Sequence, residues 1–459
     1  MIAVDRSRLP EPGPDPAFTF PVVRRRTAST GLRVWTVEHR DVPVVSFLLL
    51  LHAGSAADPV TQPGLAALTA DMLDEGSGDR SALDIEDALS RLGAQFDTEV
   101  GVDATVLSLL TLSRFGNAAL DLLADIVARP RLAVEDFERV RQLRLTRLQQ
   151  VRDFAPAVAD RTLAALLYAG QPYGHLPLGT SAALQAMRPG DVVAFHARTW
   201  RPRRMTLIAV GDGTHDELFA AAERAFGWWN PPADEPTASP GARVSAEAAR
   251  LPSARMAVVD RPGAAQSELR IGQVAASRRT PDYHALLVMN TILGGQFVSR
   301  LNMNLRESKG YTYGARSNFE FRIDPGPFTI QAAVQTPATA DAIHEAVQEV
   351  GDIGGARPAT PDELSMAHSA LTRGFPRGFE TAWQIGCGLS QLALHGLPAD
   401  TFERFVPSVR AVGVSEVTAG ARRLLPEGMT CVVVGDWAVT EQGLRALGLG
   451  DPTLVDAPE

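Results

Sequence analysis

Histidine spacing limits what this 459-residue chain can do alone. A hydrolytic zinc site is commonly built from two His one helical turn apart with a Glu between them. Residues i and i+4 share a helix face, and the Glu can take a proton from metal-bound water. The nine His stand at positions 39, 52, 175, 196, 215, 284, 344, 368 and 395, and no two lie within ten residues of each other. No local two-histidine zinc motif exists. The two cysteines, Cys387 and Cys431, are far apart in apolar or small-residue surroundings, which predicts buried free thiols and no disulfide scaffold or cysteine metal site.

The elements that would position any site can be read from periodicity. From Gly31 to His52 the pattern gives two strands joined by a turn, LRVWTVEH and VPVVSFLLLLH. A helix opens after Pro63 with Leu65, Leu68, Met72 and Leu73 at helical spacing. A second helix runs from Ser81 to Leu92, and FDTEVGVDATVLSLLTL alternates like a strand pair. Helices over Asn117–Ala128 and Val134 to about Val151 follow, then the strand in PRRMTLIAVGD.

The second half repeats this order. MTCVVVGD follows MTLIAVGD by 224 residues, the helix end at Gly295 follows that at Gly76 by 219, and the helix near Asp362 follows Asp136 by 226. Three elements at nearly one offset indicate duplication. The expectation is an α+β chain of two homologous domains, each a mostly antiparallel sheet packed with helices. Their boundaries are an N-terminal arm over 1–20, a domain over 21–230, a Pro- and Ala-rich linker over 231–249, and a domain over 250–450. A cleft between two such lobes, or two such chains, is where a ligand would sit.

Composition narrows the partners. A net charge of −9 argues against nucleic acid, which needs a dense basic surface, and Arg24-Arg25-Arg26 reads as a solvated strand start. The most apolar run, Val44–Leu51, is too short to span a bilayer, and the first 21 residues lack a basic-then-apolar signal pattern. The expected compartment is the cytoplasm.

The stretch GSAADPVTQPGLAALTADMLDEGS (54–77) resembles the segment that carries the inverted zinc motif, His-x-x-Glu-His, in the pitrilysin and mitochondrial-processing-peptidase family. Gly54-Ser55, Pro63-Gly64-Leu65, Met72-Leu73 and Gly76-Ser77 match it. In the place of the two ligand His stand Ala67 and Asp71, and in the place of the catalytic Glu stands Ala70. Ungapped alignment puts Arg147 where the family has its third ligand, a Glu. Two methyl groups and a lone acid facing a cation cannot hold zinc. The charges at positions 71 and 147 suggest an Asp71–Arg147 ion pair in the vacated site, against the plainer reading in which both face solvent.

In the second half, ILGGQFVSRLNMNLRESKGYTYGARSNF (292–319) resembles the family's C-terminal signature, with Gly294-Gly295, Ser299-Arg300-Leu301, Leu305-Arg306, Gly310 and Tyr313. The resemblance implies that Arg306 and Tyr313 reach across a chamber toward a zinc site in a facing lobe. There a Tyr hydroxyl can donate to a developing oxyanion and an Arg can hold a carbonyl without losing its charge. The local alternative is that Arg306 pairs with Glu307 while Tyr311 and Tyr313 are half-buried strand residues. Arg300 is expected to hold the glycine turn. PYGHLPLGT (172–180) is similar to another family segment, and its lone His175 carries no catalytic implication.

The resemblance implies a non-catalytic subunit, inactive alone, of a heterodimeric zinc metallopeptidase acting on extended peptides. The zinc would sit in a homologous partner bearing His-x-x-Glu-His. Its alternatives are a structural core subunit like those of the respiratory cytochrome complex, with no proteolytic role, and a homodimer with a divergent metal site or a different hydrolase mechanism.

Overall fold

Two six-stranded sheets, each fed by helices from both halves of the chain, organise the molecule. The computed structural model describes residues 18–230 and 256–457 together with Gly13 and Val244. The expected arm over 1–20 and linker over 231–249 lie largely outside the described residues.

The first half contributes β1 (Arg24–Thr27), β2 (Arg33–Glu38), β3 (Val44–Leu51), the short hairpin β4 (Gly76–Ser77) and β5 (Arg80–Ser81), β6 (Gln95–Val100), β7 (Thr105–Leu112) and β8 (Met205–Gly211). The second contributes β9 (Met256–Asp260), β10 (Gln266–Val274), β11 (Thr312–Phe319), β12 (Pro327–Gln335), β13 (Thr430–Gly435) and β14 (Thr453–Leu454). The sheet orders are β1-β2-β8-β3-β7-β6 and β11-β12-β10-β13-β9-β14. Five strands correspond one to one: β2 with β9, β8 with β13, β3 with β10, β7 with β12, and β6 with β11. In both sheets the first of these pairs parallel with the second and every later step is antiparallel. The duplicated, mostly antiparallel α+β plan is thus present.

The sheets depart from the linear reading at one point. β2 and β3 are not a hairpin, because β8 pairs with both and lies between them. β8 is buried at every residue, and so fully buried a strand is stable only with neighbours on both edges and layers on both faces. The edge strand differs between halves: β1 is antiparallel to β2 whereas β14 is parallel to β9.

The halves also exchange helices. The helix Ala155–Leu167, which belongs to the first half in sequence, packs Val158, Ala159, Leu163 and Leu167 against Val259, Val432 and Val434 of the second sheet. Reciprocally, the helix Ala382–His395 packs Ile385, Leu389 and Leu392 against Trp35, Val37, Leu48 and Ile208 of the first. Each sheet therefore has one face covered by its own domain and one covered partly by the other. Among the described residues no strand pairs with the outer sides of the edge strands β6 and β11. Among the described residues no helix is long and apolar enough to cross a membrane.

Candidate functional site

The first half-site is built around the helix Leu65–Asp71. Asp58, its side chain fully buried, accepts hydrogen bonds from the backbone N–H of Gly64 at 2.7 Å and Ala66 at 2.6 Å, so a carboxylate caps the positive helix end. His175 Nε2 lies 3.0 Å from the same carboxylate and 3.1 Å from the Ser55 carbonyl. The role of His175 is to clamp this cap. Gly64 has φ 98° and Gly179 φ 77°, and a Cβ on Gly179 would meet the Pro63 carbonyl at 2.3 Å. Only glycine allows the 172–180 segment to lie this close to the helix start.

Ala67 and Ala70 are buried on this helix, and Asp71 is its last residue with a 43% exposed side chain. Arg144 reaches Asp71 from the helix Val134–Asp153, with Nη1 2.5 Å from Oδ2, while Nη2 donates to the Pro177 carbonyl at 2.8 Å. The expected Asp71–Arg147 pair is corrected accordingly: Arg147 is exposed. The buried stripe of this helix runs Phe137, Val140, Arg144, Leu148, at intervals of three and four, and Arg147 falls outside it. That spacing was readable in the sequence and would have singled out Arg144.

One neighbouring carboxylate is matched in the same way and another is held by its surroundings toward the neutral form. Glu75 is held by Arg139, and Asp74 is pushed up to about 6, chiefly by burial and further by the charges of Glu75, Asp71 and Glu86. A single half-exposed carboxylate already bonded to a guanidinium does not fit a divalent cation, which needs three or more deprotonated ligands. Among the described residues no group of three His, Cys, Asp or Glu could hold a metal ion.

The second half-site starts at Gly294-Gly295, which close the helix Tyr283–Leu293. Ser317 of β11 donates its N–H to the Gly294 carbonyl at 3.1 Å, and a Cβ on Gly294 would lie 2.4 Å from Ser317 Oγ. The glycine is required by this close approach. The chain then enters a π-helical turn, Asn302–Ser308, in which the Lys309 N–H donates to the carbonyl of Asn304 five residues back. Such wide turns are rare and concentrate at functional positions.

Arg306 sits on this turn. Its guanidinium lies 4.5 Å over the Phe297 ring, and its Nε is 3.3 Å from the Glu307 carboxylate. The local pair with Glu307 is therefore present, yet loose and half-exposed, so it contributes little, and among the described residues the other donors of Arg306 have no hydrogen-bond partner. Arg306 lines a recess of about 340 Å³ with Phe297, Gly314, Arg316 and Gln331.

Tyr313 lies in a bulge, where the register of β11 on β12 shifts between Thr312 and Ala315. The Thr312 hydroxyl bonds the Gly314 N–H at 3.1 Å and the Ala333 carbonyl at 2.7 Å, and Asn302 Oδ1 accepts from the Ala315 N–H at 2.9 Å. A bulge re-aims a side chain. Tyr313 is 91% exposed, so it is not the half-buried strand residue of the local alternative, whereas Tyr311 is half-buried. Arg306 thus lines the recess, and Tyr313 stands out in solvent beside the lining Gly314.

Arg300 is structural, but it braces a different place from the one expected. It binds Glu363 through two bonds, at 2.7 and 2.8 Å, and the Pro358 carbonyl at 3.0 Å. It thereby fixes the start of the helix Pro361–Arg373 and not the glycine turn.

Comparison with known proteins places the chain in a family. A model of the insulinase, or M16, peptidase family matches residues 33–181, and one described as the peptidase M16 inactive domain matches 186–371. An uncharacterised zinc protease of Mycobacterium tuberculosis is 29% identical over 426 residues, covering 92% of this chain and 94% of that protein. The probable mitochondrial-processing peptidase subunit beta of Schizosaccharomyces pombe is 27% identical over 275 residues, 60% of this chain and 59% of that protein. A crystal structure of a peptidase M16 inactive domain from Pseudomonas fluorescens superposes with a TM-score of 0.83 at 26% identity, covering 90% of this chain and 98% of that one.

Proposed function

This chain belongs to the M16 peptidase family, lacking its zinc motif, and we propose that it is the non-catalytic subunit of a heterodimeric zinc metallopeptidase working in the cytoplasm. The observation that carries the reading is the contrast between its two half-sites. Where the metal would be held, Ala67 and Ala70 are buried and Asp71 is tied to Arg144. On the other side, Arg306 sits on a π-helical turn with most of its donors unbonded among the described residues, and Tyr313 is presented on a bulge. A chain with substrate-side groups and no metal side is complete only beside a homologous subunit that bears His-x-x-Glu-His.

In that pair the partner's zinc and Glu supply the activated water. In this chain Arg306 holds a carbonyl of the substrate backbone, and the Tyr313 hydroxyl donates to the oxygen on which negative charge develops. The exposed edges of β6 and β11 offer unpaired backbone groups to an extended peptide, which favours unfolded substrates over folded ones. The relatives named as subunits of a processing peptidase support pairing as a way of working in this family.

Reconstitution tests this directly. This chain is mixed with a homologous subunit carrying the intact motif, and cleavage of an unstructured peptide is followed. Activity is expected only on mixing and should vanish with a chelator. Cleavage by the isolated chain would sink the proposal. Full activity of the motif-bearing subunit alone would favour the assembly role.

A further inference from the structure

A cavity of about 600 Å³ lies apart from both half-sites, at the junction of the domains. It opens where the turn between β6 and β7 meets the residues just after β11 and the helix Ala382–His395. Its walls are mainly apolar and include the rings of Phe321, Phe379 and Trp383, the last 40% exposed. Size, position between domains and apolar lining are those of a small-ligand site.

The lining carries both signs of charge. Arg322 is buried, paired with Glu320 and set over the Tyr168 and Tyr173 rings, with Nη1 unbonded among the described residues. Glu99 is the acid left without a counter-charge among the described residues. Glu99 projects from β6 into the cavity lining and makes no hydrogen bond or ion pair with another described residue. The other acids are engaged. Asp103 accepts from the Tyr173 hydroxyl at 2.5 Å and the Ile323 N–H at 2.8 Å, and Glu320 binds Arg322 through two contacts of 2.8 and 2.9 Å. The lining His395 is buried and held neutral, pushed down to about 4 by burial and the Arg278 charge. Cys387, also in the lining, has its thiol pushed up to about 11, first by burial and then by the Glu99 charge.

We propose that this interdomain cavity binds an organic cation with an apolar body, with Glu99 as counter-ion and the faces of Trp383 and Phe379 as the platform. An anion would meet the unpaired Glu99 carboxylate, and a neutral apolar molecule would strip water from that carboxylate without replacing it. A cation satisfies Glu99 and gains from the negative faces of the rings. The same chemistry is offered by a free amine and by a Lys or Arg side chain of a bound peptide.

Calorimetric titration of the full chain with benzylamine, with phenylacetate as its anionic counterpart, and with end-capped Lys and Ala peptides tests the assignment. Benzylamine or the Lys peptide is expected to bind about tenfold or more tightly than phenylacetate or the Ala peptide. Binding by the amine points to a free ligand, and binding by the peptide alone points to a side chain. Glu99→Gln and Trp383→Ala, both at exposed side chains, should each weaken the cation about tenfold with an unchanged melting temperature. Equal affinity for cation and anion, no binding of either cation, or an unaltered Glu99→Gln affinity overturns the proposal. None of these results bears on the partner-subunit reading, because this assay needs neither the partner nor peptide cleavage.

Discussion

Arg144 and Asp71 join the helices Val134–Asp153 and Leu65–Asp71, with 2.5 Å between Nη1 and Oδ2. The guanidinium is 9% exposed, and its second arm holds the Pro177 carbonyl, so one side chain ties together three separate segments. The bracing of these helices is thus done by a cation fixed in the protein, beside the buried Ala67 and Ala70.

Truncating Arg144 should therefore be felt in stability. Arg144→Ala removes two charge-assisted or carbonyl hydrogen bonds from a buried position and is expected to destabilise by about 2 kcal/mol. Asp71→Ala takes the counter-ion from a nearly buried guanidinium but leaves its Pro177 bond, so it should cost somewhat less, about 1–2 kcal/mol. Urea unfolding measures both, and equal losses would mean that the Pro177 contact is idle.

Metal content follows from the same pair. Chain purified without chelator is expected to carry zinc far below one ion per molecule, and EDTA should leave its melting temperature unchanged. Elemental analysis with a parallel thermal scan checks this.

At the opposite half-site, stability and activity should separate. Arg306→Ala and Tyr313→Phe change half-exposed and exposed groups, so their effect on melting should stay within about 0.5 kcal/mol. In the reconstituted pair, loss of an oxyanion donor should lower kcat by about 10²–10³. Retained kcat in Tyr313→Phe would remove the hydroxyl from the chemistry.

Gly294→Ala should do the reverse. Its Cβ would press on Ser317 Oγ and on the Ser317 backbone nitrogen, 2.5 Å away, so the turn or β11 must shift. A loss of about 1–3 kcal/mol is expected, together with impaired activity. Gly310→Ala, where a Cβ meets nothing within 4 Å but φ is 68°, should cost only the backbone strain, of order 1 kcal/mol.

Acid should weaken the fold between about pH 6.5 and 4. His52, half-buried, and His395, buried, are held down to about 4, so the unfolded chain binds their protons before the folded one does. Full stability is present above the ordinary histidine range and is lost as pH falls through that window, by up to about 3 kcal/mol per residue. Asp74 opposes this, because its carboxyl, at about 6, takes up a proton in the folded state first. Urea unfolding at stepped pH should show a shallower acid limb in His395→Asn and a steeper one in Asp74→Asn.

The sequence by itself determined what this protein lacks and how often its plan repeats. The absence of paired His, the Ala at 67 and 70, and the recurrence of MTLIAVGD as MTCVVVGD are facts of composition and spacing along one chain, and no folding can change them. The Gly294–Tyr313 segment was equally legible, since a close approach needs glycine wherever it occurs. Tertiary structure alone decided which residues meet. Arg144 rather than Arg147 reaches Asp71 because one turn of helix has a single inward face, and that face is chosen by packing. β8 inserts between β2 and β3, and the two halves trade helices, because buried strands and apolar helix faces take partners by shape and not by sequence distance. The cavity beside Glu99 exists only where those exchanged elements converge.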